Sequence, residues 1–553
     1  MKTAGPLLFM VLALRFSMAQ GVALPPAASA PPNASAKPGS VDGVVTNSLT
    51  GDPVKNASVT LTGSPRTSYQ AITDTAGHFH VANITPDTYI VNADRDGFIG
   101  QRGNWSQPIR VGQEQNVKDV AIQLLPLAHV SGRVLDVDGD PIMLANVQAL
   151  RYQFNRGRKQ LIQAGFANTN DLGEFQFLNL EPGRYYFAAI AQQRIPNLPP
   201  RTRFSGQQTT FPFMYYPSSL APGQATATDL APGAEVTGID FRLAKMPAFH
   251  VRGKVVDETG QPPRFTNVQL QADESGGPPR QVASAAVPQD GTFDLRGIVP
   301  GTYVLIASRG GQVADAPAAY ARETVTISDE DLNGLNLVLT PRFEVRGRFS
   351  VDGPAGARMN GSLGLQPVDA PSTNLYANAS EDGGFVIQSV SAGSYFIDVN
   401  VALLGLHVKS IRFGDADISS GLLTVTPGLA NATLNIILGS DGGQIQGTVQ
   451  KSGEPSTAGI VTLAPAADLP GRLDLIKQVG TDSNGNFQFQ SVAPGDYKVF
   501  AWEELDPGLI DNFAFRAAMA SHAASVTVAP NGSETVQIEL ISRQDMEKEK
   551  NKL

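Results

Sequence analysis

Residues 482–502 read Asp482-Ser-Asn-Gly485-Asn-Phe487-Gln-Phe489-Gln-Ser-Val492-Ala-Pro494-Gly495-Asp-Tyr497-Lys-Val499-Phe-Ala501-Trp502, and this stretch decides the fold. A turn rich in Asp and Asn ends on glycine, and a strand begins at Phe487. A Pro-Gly turn follows, then a second strand from Tyr497 that alternates through Val499 and Ala501. The same ten-residue interval separates Phe79 from Tyr89, Phe175 from Tyr185, Phe293 from Tyr303 and Phe385 from Tyr395. Two residues before each phenylalanine stands a glycine: Gly77, Gly173, Gly291, Gly383 and Gly485. Self-similarity at a fixed interval fixes the architecture before any local reading does. It predicts an all-β chain of five small sandwiches in a row.

Working outward, each unit opens with an apolar residue, any residue, then glycine: Val41-Asp-Gly43, Val130-Ser-Gly132, Val251-Arg-Gly253, Val345-Arg-Gly347 and Ile445-Gln-Gly447. The spacing gives each unit about the size of an immunoglobulin-like sandwich. A second strand alternates at Val59 and Leu61, Val147 and Ala149, and Val268 and Leu270. The glycine before each phenylalanine is expected at positive φ, which a side chain would resist. The apolar residue five after each phenylalanine (Ile84, Leu180, Ile298, Val390, Val492) breaks the period-two parity, and a bulge would explain the shift. Pro182-Gly183, Pro300-Gly301 and Pro494-Gly495 suit type II turns. The tyrosine that follows is expected to bury its ring and point its hydroxyl at a backbone group near the turn. Each unit then closes with a hairpin-like pair, such as Val325–Ile327 with Leu335–Leu339, or Val526–Val528 with Val536–Leu540.

At the N-terminus Lys2, the apolar run Leu7–Leu14 and the small residues Ser17 and Ala19 read as a secretory signal cut before Gln20. Eight apolar residues followed by Arg15 are too few to span about 30 Å of hydrocarbon. The expected organisation is a signal peptide (1–19), a flexible Pro/Ala/Ser linker (20–40), and sandwiches over 41–127, 128–247, 248–342, 343–440 and 441–541. A charged tail (542–553) ends the chain. The second sandwich carries an insertion at about 191–235 that includes Phe211-Pro-Phe213-Met-Tyr215-Tyr216. In the fifth, Leu509, Phe513, Ala517 and Met519 fit one short helix.

Composition narrows the function classes. Glycine (55) and proline (39) make up about 17% of the 553 residues, above the average of roughly 12% and below the disordered range. A net charge of −9 without any long basic block argues against nucleic acid as a partner. With no cysteine, disulfides, thiolate metal sites and cysteine nucleophiles are excluded.

The opening Val-x-Gly-x-Val, the Pro53–Leu61 stretch, Thr73-Asp74…Gly77-x-Phe79 and the Pro-Gly-x-Tyr resemble carboxypeptidase regulatory-like domains, in five copies over about 41–540. The resemblance implies seven-stranded, transthyretin-like sandwiches serving as accessory modules. It also extends to B-type repeats of collagen adhesins and, through His407–Gly414 and Pro494–Glu503, to exported bacterial multi-repeat proteins. Adhesin repeats often carry an internal lysine amide crosslink from the first strand. Here the buried-looking first-strand positions are Val45, Val134, Val255, Phe349 and Val449, so no such bond is expected.

No His-Glu-x-x-His, no nucleophile elbow and no phosphate-binding loop occurs, so the chain reads as non-enzymatic, with no catalytic, cofactor or metal residue assigned. His78 and His80 share one strand face and read as solvated residues flanking Phe79. Candidate ligand-binding rings are Trp105 in a polar loop, Trp502 beside Glu503 and Glu504, and Phe211, Phe213, Tyr215 and Tyr216 in the insertion. The alternative for these rings is that they seal junctions or cap cores. The expected role is an exported cell-envelope scaffold or adhesion protein that binds carbohydrate or an envelope protein by multivalent weak contacts. Competing roles are a carbohydrate-binding accessory protein with a defined sugar site, or an accessory partner of an outer-membrane transporter. Periplasm, cell surface and secreted destinations, and the oligomeric state, stay open.

Overall fold

A computed structural model describes residues 37–63, 67–100, 109–191, 208–274, 276–310, 318–352, 361–368, 374–401, 405–426, 432–456, 459–482, 484–506 and 508–553. The expected signal segment and most of the expected linker lie outside these residues. The chain is almost entirely β and is built of several discrete β-sheet modules. It divides into two compact units. Among the described residues, those from 37 to 95 and from 100 to 124 form the first, and those from 96 to 99 and from 125 onward form the second. No helix among the described residues is long and apolar enough to cross a membrane.

The two sequence signatures prove to be halves of one contact. In each repeat the opening strand (Gly39–Asn47, Ala128–Asp136, Phe249–Asp257, Phe343–Asp352 or Gly443–Lys451) pairs antiparallel with the strand that carries the phenylalanine. The register sets Gly43 opposite Phe79, Gly132 opposite Phe175, Gly253 opposite Phe293, Gly347 opposite Phe385 and Gly447 opposite Phe487. A methyl group on Gly43, Gly347 or Gly447 would meet the facing phenyl ring, and also a carbonyl of the strand on the other side. Glycine is required there for space.

The turn glycines Gly77, Gly173, Gly291, Gly383 and Gly485 all lie at φ between 73° and 85°, the left-handed region expected for them. The parity break is a bulge. The register shifts just before Ile84, Ile298, Val390 and Val492, and the preceding Asn83, Gly297, Ser389 and Ser491 sit at φ between 53° and 75°. The tyrosine hydroxyls of Tyr89, Tyr303, Tyr395 and Tyr497 donate to the carbonyls of Thr85, Val299, Ser391 and Ala493 at 2.7, 2.7, 2.8 and 2.9 Å. Burial of the rings pushes the phenols of Tyr303 and Tyr497 up to about 12.

Four expectations are corrected. The Pro-Gly glycines have φ of 150° (Gly183), 158° (Gly301) and 154° (Gly495), far from the roughly +80° of a type II turn. Each begins the tyrosine strand, and at Gly301 an added methyl would meet the Tyr303 ring at 3.2–3.4 Å. In the third repeat the closing strands Ala319–Ile327 and Leu332–Pro341 pair antiparallel at Ala319–Pro341 and Tyr320–Thr340, but Val325–Ile327 pair with Gly301–Tyr303 instead of Leu335–Leu339. In the fifth repeat the closing strands form no hairpin. Ala524–Val528 pairs with Gly495–Trp502, whereas Ser533–Ile541 runs parallel to the opening strand Gly443–Lys451. Alternating apolar residues on both strands face one core from opposite sheets, so they read alike in sequence. The strand count is not a uniform seven: the third repeat forms one continuous seven-strand path, and the fifth has eight strands, six along one path and two branching from it. The fifth-repeat insertion is broken into the 3-10 turns Leu509–Asp511 and Ala520–His522 around the helix Phe513–Ala518. It buries Phe515 and leaves Ala517 exposed.

Each of the second to fifth repeats has its own apolar core. In the fifth, Ile445, Val449, Leu463, Phe487, Phe489, Tyr497 and Val499 meet between the sheets. Burial of side chains of this size contributes roughly 1.5–3 kcal/mol each, which is how the modules stand without disulfides.

Candidate functional site

The strand Gly495–Trp502 carries apolar residues on both faces. Val499 and Ala501 enter the module core, while Phe500 and Trp502 point outward. That outer face is covered. Trp502 has no exposed surface and lies stacked between Phe500 (ring centres 5.3 Å apart) and Phe515 (5.6 Å). Its indole Nε1 donates to Thr462 Oγ1 at 2.8 Å. Leu509, Ile510, Met519, Ile541 and Met546 complete this second cluster, joined by Phe154 from the second repeat. The tail therefore docks: Arg543–Lys550 is a helix, capped by Ser542 and anchored through Met546.

Phe154 arrives on a long hairpin, Ala145–Asn155 with Arg158–Asn168. Its tip, Asn155-Arg156-Gly157-Arg158, turns with Arg156 and Gly157 at φ of 48° and 71°. The Arg156 side chain is 6% exposed. Its guanidinium donates through Nε to Gln366 Oε1 and through Nη2 to Asp398 Oδ1, and lies 5.1 Å from the centre of the Phe396 ring. Arg158 Nη1 donates to the Val368 carbonyl at 2.7 Å. On the other side, Asn512 Nδ2 donates to the Gly157 carbonyl at 2.7 Å. Burial raises the Asp511 carboxyl above its ordinary value despite the nearby Arg156 and Arg516 guanidinium groups. One hairpin tip thus meets the fourth and the fifth repeats at once.

The insertion of the second repeat makes another junction. Phe213 and Tyr215 cover Leu150, Leu161 and Ala188. Tyr215 donates to Glu274 Oε2 of the third repeat at 2.7 Å, and the Arg280 guanidinium sits 4.5 Å from the Phe213 ring centre while pairing with Glu274 at 2.6 Å. Burial and the adjacent Glu274 carboxylate push the Tyr215 phenol strongly upward. Phe211 is half-buried against the second-repeat core beneath Lys245 Nζ, 5.4 Å from its ring centre. Tyr216 is half-buried and packs edge-on against Phe241. Trp105 lies outside the described residues.

The rings proposed from sequence therefore sit as follows. Phe213, Tyr215 and Trp502 are buried at junctions, and Phe211 and Tyr216 lean on a module core. A ring without exposed area offers no stacking face. The junction residues that sequence reasoning missed are Phe154, Arg156, Asp398, Asn512, Glu274 and Arg280. The available signal was the length of the two hairpin strands, eleven residues each, around a Gly-containing turn. His78 and His80 are exposed, and His80 Nδ1 lies 2.6 Å from Asp42 Oδ1. Among the described residues, no three of His, Cys, Asp and Glu gather as a metal site.

Residues 40–124 and 250–340 match the carboxypeptidase regulatory-like domain. The match falls on two repeated stretches, the first and third repeats, as a multi-repeat chain requires. The chain is a multi-repeat β-domain protein. It is 22% identical to Colossin-A of Dictyostelium discoideum over 499 residues, which is 80% of this chain and 4% of that protein. The chain thus spans about 4% of the length of the curated relative it matches. Among solved structures, the Streptococcal ancillary pilin shares 16% identity, covering 55% of this chain and 100% of that one, with a TM-score of 0.21. Two B repeat units of the collagen binding protein of Staphylococcus aureus share 10%, covering 73% and 99%, with a TM-score of 0.13.

Proposed function

We propose that this protein is an exported cell-envelope scaffold or adhesion protein, a series of five transthyretin-like β modules with the boundaries given above, that holds glycan or envelope protein by many weak contacts. The observation that carries the reading is the use of its buried chemistry. Arg156, Asp398, Asn512, Tyr215 and Glu274 are engaged in joining repeats to one another, and the buried aromatic rings seal those joints. What is left for partners is repeated outward sheet surface. Several such surfaces on one chain raise effective concentration without any single tight site. Secretion to the periplasm, the cell surface or the medium is part of the same proposal and is supported by the signal-like N-terminus.

The test is retention of the full chain on surfaces that carry envelope glycans or envelope extract at increasing density. Multivalent weak contact predicts retention that rises steeply with density. Retention independent of density would point to one tight site and overturn the proposal.

A further inference from the structure

On the outer face of the first sheet of the fifth repeat, three strands lie side by side: Gly443–Lys451 in the centre, Asn486–Val492 antiparallel to it and Ser533–Ile541 parallel to it. Their outward residues form cross-strand rows. Gln488, Gln446 and Thr535 make one row, and Asn486, Thr448 and Gln537 the next. A further pair, Gln444 and Ser533, extends the array. Each of these side chains is an uncharged amide or hydroxyl. They are linked by long hydrogen bonds: Gln444 Nε2 to Ser533 Oγ at 3.2 Å, Gln488 Nε2 to Gln444 Oε1 at 3.3 Å, Gln446 Nε2 to Thr535 Oγ1 at 3.4 Å and Thr448 Oγ1 to Asn486 Oδ1 at 3.2 Å.

The same face of the other repeats is charged. At the positions of Gln446 and Gln488 the first repeat has Asp42 and His80, 2.6 Å apart, and the third has Arg252 and Asp294, 3.3 Å apart. At the positions of Thr448 and Asn486 the second has Arg133 and Glu174, 2.9 Å apart. The fourth has Arg348, paired with Asp382 at 3.3 Å. Only in the fifth repeat, among the described residues, do these rows carry no ion pair. They also floor a groove of about 610 Å³, walled by Val479, Thr481 and Asp482. The Thr481 hydroxyl in that wall is buried and has no hydrogen-bond partner among the described residues.

The chemistry of this face selects its ligand. Each amide offers one acceptor and two donors, and the bonds within the array leave most of that capacity free. An apolar partner would strand these groups, each at a desolvation cost. An anionic polymer would find no cation to replace its hydration, on a chain of net charge −9. A protein epitope is centred on aromatic or arginine anchors in a dry pocket, and these rows contain neither. A neutral polymer dense in hydroxyl groups satisfies donors and acceptors alike. We propose that this amide face of the fifth repeat is a binding site for a neutral polysaccharide. The inference rests on the glycan-binding arm of the proposed function and names one of its contact surfaces.

The test is native-gel affinity electrophoresis of the full chain through gels containing a neutral β-glucan, mannan or dextran, with alginate as the anionic comparison. Retardation is expected in at least one neutral gel and not in alginate. Gln446→Glu with Gln488→Glu keeps the side-chain shape and adds charge, and should weaken retardation at least tenfold. Thr535→Lys, on the neighbouring strand, should do the same. Gln281→Glu, on an exposed strand of the third repeat, should leave it unchanged. Thermal melting of each variant separates loss of binding from loss of fold. Retardation that survives both changes would overturn the site and leave a glycan-binding scaffold standing. Retardation by alginate alone, or binding to envelope protein with none to the three neutral polymers, would overturn the site as well, and the latter would leave the protein-binding scaffold intact.

Discussion

The side-chain amide of Asn512 donates to the carbonyl of Gly157 across 2.7 Å, joining positions 355 residues apart. The oxygen of the same amide accepts from Phe515 N–H at 2.8 Å and caps the helix Phe513–Ala518. One side chain fixes both the helix and the hairpin that rests beside it. Asn512→Ala removes both bonds and should cost about 1–3 kcal/mol in chemical denaturation of the full chain. Asn512→Asp keeps the cap and loses the donor to Gly157. It should protect the helix amides in hydrogen exchange while releasing the hairpin tip.

Arg156 is the second lock. Arg156→Ala leaves Gln366 and the partly exposed Asp398 carboxylate without their planar partner, and should destabilise by about 1–3 kcal/mol. Arg156→Lys should recover little, because an ammonium cannot serve two acceptors in one plane and stack on Phe396 as well. Limited proteolysis should report both variants by faster cleavage within residues 153–160.

The glycine–phenylalanine contact gives a paired test. Gly447→Ala drives a methyl into the Phe487 ring and the Val536 carbonyl, and should cost about 1–3 kcal/mol or unfold the fifth repeat. Gly447→Ala with Phe487→Leu removes one of the two collisions and should recover part of that loss. Melting temperatures of the two variants compare them directly.

His407 makes stability depend on pH. Burial holds its imidazole below the ordinary value of 6.5, helped by Lys409, Lys477 and Arg472, and these outweigh the opposing Asp441 carboxylate 3.5 Å from Nε2. The folded chain therefore binds this proton less readily than the unfolded chain does. The stabilising contribution is complete above about pH 6.5 and is lost as pH falls through the lower folded value. Melting followed between pH 7.5 and 5 should show that decline, and His407→Gln should flatten it.

The repeat architecture was legible because its signals are local. A glycine, a phenylalanine two residues on and a tyrosine ten residues later lie within one turn and two strands. The junctions were not legible, for the opposite reason. Phe500 and Trp502 interrupt the alternation of Val499 and Ala501, so the strand reads as apolar on both faces. That pattern announces a cover without naming it. The cover includes Phe154, which no spacing rule connects to residue 502. Trp502 beside Glu503 resembled an exposed platform because proximity in sequence says nothing of which face a neighbouring module occupies. That the closing strands of the fifth repeat do not pair was not legible, because two amphipathic strands look the same whether they pair with each other or face each other across a core.

The long-range docking of the hairpin tip also has a consequence in time. A ribosome adds roughly 5–20 residues each second, so the 355 residues between Gly157 and Asn512 take roughly 20–70 s to appear. During that wait Phe154 has no cover from the fifth repeat. The nascent chain carries an apolar spot through most of its synthesis, and a holding chaperone has that window in which to act.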